Sequence, residues 1–419
     1  MNPGLSDAER KKAGRLAILS SCCGVTGESV LSDGAIIILF AAALDAGDML
    51  TLISTSMLLF FNGLLILPAA MLATRVGYRR MILAACGAGF VAYLAVAASP
   101  FAGRWAVAAL VGAMLCFTLT TPGFIACWNP LLDFFLRPEE RVGYLGKMRF
   151  LHQLCAIGFL ALAGWFVGRA PSVARLQTVL LAGALVYAGR GIAISCIPGF
   201  GSARPGKSGF RLAGIAETVR DPGLNRFAAY QFVLNLLIYG GLPVAALAMK
   251  NALRIPDNFV VHISNAGLAG MLAGYLAANA LKTRVPMKHM FIFLHFLLIA
   301  VNFALAAIAG NSIAEMACLA LLLAVLGAAL AASSVYCAAE TMALAPEGNK
   351  IMAMAWSSAF FYCGGGCSRL FSSFLLKSET FRHLGGAALS PYQLLFCLYG
   401  LCLIPALILL YRIPAVRRK

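Results

Sequence analysis

A carboxylate flanked by long apolar stretches needs a reason to be there. Glu28 is such a residue, 13 positions past Arg15 with no charged residue between them. On a helix that separation is roughly 20 Å. Deep in an apolar medium a charge costs several kcal/mol unless it is paired or meets water. At the wall of a cavity, a carboxyl can take up and release a proton. The alternative is a permanently ionised group held in a structural pair with an arginine. Ser21, Gly24, Glu28 and Ser32 recur at helical spacing as one polar stripe, with Cys22, Thr26, Ser29 and Asp33 beside it. A stripe this polar in apolar surroundings is expected to line a cavity. Asp33 lies farther out, as a second site carboxylate or as a group facing water.

Other residues fit binding better than proton transfer. Gln231, Asn235 and Tyr239 recur every four residues and suit hydrogen bonds to a polar solute, although amides also join helices to one another. Arg149, with His152 and Gln153, is a candidate anion contact or a side chain snorkelling to the surface. Asn129, next to Trp128, offers a polar contact and a stacking plane. His262, Asn265 and Arg369 are candidates for an outer gate, whereas Arg190 and His295 read as structural. Asp33, Asn129, Arg149, Gln231, Asn235 and Tyr239 therefore join Glu28 as proton-coupling or substrate candidates.

The elements that must hold these residues follow from composition. The chain has 419 residues, 61% hydrophobic and 12% charged, with mean hydropathy +0.86. A water-soluble domain of this size has far more polar surface to cover. A bilayer needs about 20 apolar residues per helix. Apolar spans read near 15–42, 49–74, 80–100, 104–136, 143–168 and 175–198, then near 225–250, 258–281, 287–309, 312–344, 350–377 and 389–412. The ten-residue alternation of a membrane β-barrel does not appear. The expected fold class is an all-α polytopic membrane protein of twelve transmembrane helices.

An even number of spans puts both termini on one side. With the N-terminal arm, the even-numbered loops and the C-terminal tail assigned to that side, 24 of the 33 basic residues fall there and seven fall opposite, with Arg190 and Arg369 inside spans. Positive residues stay inside, so both termini are expected in the cytoplasm of a multi-pass inner-membrane protein. The net charge of +17 is thereby a topology signal rather than a sign of nucleic-acid binding, and basic ends also suit anionic lipid. The first span, with Glu28 and Asp33 in it, does not read as a cleaved signal peptide. The 13 cysteines have no metal-site spacing and imply no disulfide framework.

The longest polar connection, 199–224, divides the chain into an N-terminal bundle, 1–198, and a C-terminal bundle, 225–419. Pro138-Glu139-Glu140-Arg141 opens span five and Pro346-Glu347-Gly348-Asn349-Lys350 opens span eleven, 208 residues later, with Asp133 and Glu340 shortly before them. Repeated punctuation at half the chain length points to a duplicated half.

Between spans two and three stands Ala70-Met71-Leu72-Ala73-Thr74-Arg75-Val76-Gly77-Tyr78-Arg79, followed by Arg80. This segment resembles the major facilitator signature G-x-L-A-D-R-x-G-R-[RK], with Ala70, Thr74 and Tyr78 as departures, and the resemblance extends over nearly the whole chain. It implies two pseudo-symmetric six-helix bundles, with spans one and seven lining a central cavity. It also implies a cytoplasmic gate: Arg75 or Arg79 against Asp133, with Gly77 shaping the turn, Arg141 joining the network and Glu340 doing the related work in the second half.

No phosphate-binding loop, GxSxG elbow or HExxH pair is present, so an enzyme is not expected and no cofactor or metal is implied. The function that follows is a secondary active transporter of a small organic solute, proton-coupled and working by alternating access, expected as a monomer. The alternative is a receptor or assembly factor on the same scaffold. The mixed charges suit a sugar, a carboxylate or an amino-acid-like solute, and the acidic stripe suits a lipophilic cation.

Overall fold

The computed structural model describes residues 5–31, 35–137, 140–199, 218–281, 284–344, 350–384, 386 and 389–410. Seven helices precede residue 199: α1 Asp7–Leu31, α2 Ala35–Ala43, α3 Gly47–Val76, α4 Tyr78–Ala98, α5 Ala106–Phe135, α6 Arg141–Val167 and α7 Val173–Ser195. Eight follow among the described residues: α8 Pro222–Ile238, α9 Gly241–Leu247, α10 Asp257–Leu281, α11 Met287–Ala307, α12 Ile313–Leu344, α13 Lys350–Lys377, α14 Glu379–Leu384 and α15 Pro391–Leu410. No strand occurs among the described residues.

Ten stretches are long and apolar enough to cross a membrane. One of them, Tyr78–Leu132, holds both α4 and α5 around the tight turn Ser99–Trp105. Helix α13 is long enough but too rich in Ser, Gly and Arg369 to reach the same hydropathy. With α1 and α2 as one pass and α8 and α9 as another, the chain makes twelve passes. The outward surface carries Leu162, Trp165, Leu185, Val91, Leu321 and Ile408, all well exposed, as expected where lipid is the solvent.

Local chemistry sets the ends. Ser6 and Glu9 cap α1 reciprocally: the Ser6 backbone N–H donates to Glu9 Oε2 at 2.9 Å and the Glu9 N–H to Ser6 Oγ at 3.3 Å. Ser312–Glu315 and Ser390–Gln393 repeat the device. Helix α1 thus starts at Asp7, well before the apolar span near 15, because a capped end lets Lys11, Lys12 and Arg15 continue the helix. Asp221 caps α8, accepting from the Leu224 N–H at 2.8 Å with Pro222 at the first position. The second half therefore begins slightly before the expected loop end at 224; most of that loop, 200–217, lies outside the described residues.

Glycine lets helices touch. A Cβ on Gly270 would collide with the Ala324 carbonyl, one on Gly274 with that of Ala328, and one on Gly327 with that of Gly267, so α10 and α12 meet backbone to backbone. Helices α3 and α13 meet as closely: Cβ atoms built on Gly63 and Gly366 would lie 2.7 Å from Cys363 N and 2.6 Å from Phe60 N. This contact joins the two halves near mid-height.

Candidate functional site

Arg190 of α7 is among the largest fully buried side chains and reaches α1, where it forms an ion pair with Glu28. The geometry depends on Gly24, four residues before Glu28, because a Cβ there would overlap the guanidinium. Phe124 of α5 stacks on the guanidinium, its ring centroid 4.0 Å from Cζ, and the Tyr187 ring lies 5.1 Å away. The Glu28 side chain keeps 24% of its surface exposed against 2% for Arg190. The pair thus consists of a cation sealed in the bundle and a carboxylate that stays partly exposed.

The polar stripe on α1 turns out to face two ways. Ser21 Oγ hydrogen-bonds His152 Nδ1 of α6 at 2.9 Å, and Gly24 faces Arg190, so these positions bind α1 to its neighbours rather than lining a cavity. Between residues 21 and 31, Cys22, Cys23, Val25 and Glu28 are the partly exposed positions. Small polar residues pack into adjacent helices when a partner waits there, and sequence spacing does not reveal the partner. Arg190, read as structural in the sequence, is fully buried inside the first half. Asp33 and Ser32 lie outside the described residues.

In the second half, Gln231 and Asn235 are both buried. Ser357 of α13 donates to Gln231 Oε1 and is hydrogen-bonded to Thr341 of α12 at 2.9 Å, while Asn235 Nδ2 donates to the Gln231 carbonyl at 2.7 Å. Through Ser357, Gln231 ties α8 to α12 and α13, whereas the Asn235 bond stays within α8. Tyr239 remains partly exposed against Phe361, ring centroids 5.3 Å apart. Here the seventh pass breaks between α8 and α9, and the Gly240 N–H donates to Ser368 Oγ at 2.8 Å. Interrupted membrane helices mark substrate sites in transporters. His295 lies inside the second half, 3.3 Å from the Tyr230 hydroxyl.

Hydrogen bonds between the halves gather toward the end opposite the N-terminus. Gln153 Nε2 donates to the Leu268 carbonyl at 3.2 Å, Asn265 Nδ2 to that of Ile157 at 3.0 Å and Arg369 Nη1 to that of Thr55 at 2.8 Å. At the rim, the Asp257 N–H donates to the Arg169 carbonyl at 3.1 Å. Asp48, at the start of α3, accepts from the Tyr392 hydroxyl and, at 2.6 Å, from Asn251 Nδ2. Lys250 and Asp257 form an ion pair beside it. The clamp around Asp48 was missed in the sequence, where Asp48 reads as an ordinary loop acid.

At the other end, Gly77 (φ +96°) separates α3 from α4 and donates its N–H to the Ala73 carbonyl at 2.9 Å, a conformation that favours glycine. Arg75 is exposed, and Arg79 Nη2 donates to the Ser195 carbonyl at 3.3 Å. Glu340 is buried. The side chains of Asn129, Asp133 and Arg141 lie outside what is described. The exposed pair Asp7–Arg137, at 3.3 Å, stays within the first half.

No family profile matches the sequence, and no curated protein matches it. Solved structures do match in shape. A mutant of the nucleoside transporter NupG superposes with TM-score 0.73 at 11% identity, covering 98% of this chain and all of that one. A POT family transporter in complex with a thioalcohol-conjugated peptide gives 0.71 at 11%, over 98% and 96%. A bacterial homologue of the iron transporter ferroportin in the outward-facing state gives 0.64 at 14%, over 96% and 98%. Identities this low speak for the fold: the chain has the major facilitator fold, a polytopic membrane architecture carried by transporters among its structural neighbours.

Proposed function

We propose that this chain is a secondary active transporter that moves a small organic solute across the cytoplasmic membrane by alternating access, driven by proton binding at Glu28. The pair of a buried Arg190 and a partly exposed Glu28 carries the reading. Ionised Glu28 holds Arg190 through the slot at Gly24. Neutral Glu28 releases the guanidinium to its aromatic neighbours, so the two protonation states favour different packings of α1 on α7. The neighbours in shape are described as a nucleoside transporter, a bacterial homologue of the iron transporter ferroportin and a POT family transporter, and the shared fold leaves the cargo open.

In this mechanism residues 1–198 and 225–419 are two bundles that rock about the joint of α3 and α13. The clamp at Asp48 closes one mouth. Arg75, Arg79, Asp133, Arg141 and Glu340 close the other in the opposite state, around the turn at Gly77. With the termini cytoplasmic, the conformation described is open to the cytoplasm.

A thermal-shift screen of the purified protein supplies a substrate, because a ligand of the native state stabilises it. Glu28→Gln is then assayed in proteoliposomes. Accumulation driven by a proton gradient should collapse while exchange without a gradient persists. Proton-driven accumulation at the wild-type level would remove Glu28 from the mechanism.

A further inference from the structure

Arg149 of α6 takes part in none of the ion pairs found among the described residues. Gln153, Ala156 and Leu160, at helical spacing from it, are buried, yet Arg149 is exposed. That face of α6 passes from sealed to open within one turn, at the point where Gln153 meets α10. Arg149 therefore stands just below the closed joint, on the side of α6 that meets α10. Its guanidinium lies 5.7 Å from the ring centroid of Tyr275 on α10, across the gap between the halves. Tyr362 of α13 lies within electrostatic reach of Arg149, Tyr275 and Glu28. Three helices from both halves thus converge on one place.

Among the described residues the charges there do not balance. The ion pairs among the described residues are Arg137–Asp7, Arg190–Glu28 and Lys250–Asp257, and Arg149 belongs to none. Ser21 and His152 set the relative height of α1 and α6. Glu28 lies seven residues beyond Ser21 and Arg149 three before His152, which separates them by roughly 15 Å along the axis. Glu28 is committed to Arg190, and His152 adds no negative charge. An exposed guanidinium beside the Tyr275 ring, in no ion pair among the described residues, fits the flat oxyanion of a carboxylate or phosphate through paired hydrogen bonds.

We propose that the transported solute is an organic anion whose carboxylate or phosphate docks on Arg149 between Tyr275 and Tyr362, and that lipophilic cations are rejected at this site. The proposal rests on the transporter reading above. The full chain in detergent is screened by thermal shift against matched compounds bearing carboxylate, phosphate, carboxamide or ammonium on the same phenyl, alkyl and ribosyl bodies. At least one carboxylate or phosphate should stabilise the wild type where its amide and amine do not, and the better anion identifies the head group. Arg149→Gln should weaken that binding about 10- to 100-fold, and Arg149→Lys less. The proposal is overturned if no anion stabilises the protein, if ammonium compounds are preferred, or if folded Arg149→Gln binds the anion like the wild type. Should Arg149→Gln fail to fold, the head-group preference of the wild type and the Arg149→Lys variant decides. Binders are then tested for flux in proteoliposomes. An anion that binds but is not moved sinks the transporter reading alone, and flux confined to amines sinks the anion site alone.

Discussion

Removing one member of the Glu28–Arg190 pair should cost much more than removing both. Glu28→Gln leaves the guanidinium buried with no counter-charge. Loss of one partner of a buried pair costs about 3–5 kcal/mol, and the glutamine oxygen still accepts one hydrogen bond, which places the expected loss near the lower end. Arg190→Met strands a carboxylate that is 24% exposed. Water and a proton both relieve it, so about 1–2 kcal/mol is expected. In the double variant the methionine fills most of the vacated volume against Phe124 and Tyr187, and stability should return to within about 1 kcal/mol of the wild type. The coupling between the sites is then roughly 3 kcal/mol. Reversible unfolding in mixed micelles by SDS titration, followed by circular dichroism, measures all four proteins. Additive losses would refute the reasoning, as would a costlier Arg190→Met than Glu28→Gln, since both outcomes contradict a pair sealed on the arginine side.

Two further outcomes are expected. Asp48→Ala removes the acceptor of Tyr392 and Asn251, worth about 1.5–3 kcal/mol for bonds to a charged group; spin labels at Leu44 and Arg254 should gain a longer-distance population, and an unchanged distribution would exclude Asp48 from gating. In a functional cysteine-depleted background, a cysteine replacing Arg80 should label only from the cytoplasm and one replacing Phe101, 85% exposed in the turn after α4, only from outside; the reverse pattern would overturn the orientation.

The passes were legible because their causes are local: apolar length marks each one, and the positive φ at Gly77 requires the residue that the loop signature places there. The starts set by Ser6–Glu9 and Asp221-Pro222 are equally local but lie outside the apolar runs and went unread. Partnerships between distant spans were not legible. Nothing in the spacing of α1 says that Gly24 is a slot for an arginine 166 positions away, because that depends on how α7 packs. The pattern at 231, 235 and 239 is helical, but whether an amide faces a solute or another helix depends on Ser357 and Thr341. Asp48 drew no attention because its partners, Asn251 and Tyr392, lie in the other half.

In the rocking proposed above, the contact between α3 and α13 is the fulcrum. Gly63 lies 15 residues from Asp48 and 13 from Val76, giving two lever arms of roughly 20 Å each along α3. A rock of about 15° moves each end by roughly 5 Å, enough to part every hydrogen bond at the Asp48 rim while the backbones at Gly63 and Gly366 scarcely slide. Motion is thereby concentrated at the mouths and friction at the centre. Larger side chains at those two glycines would lengthen the distance between the halves and turn a pivot into a wedge.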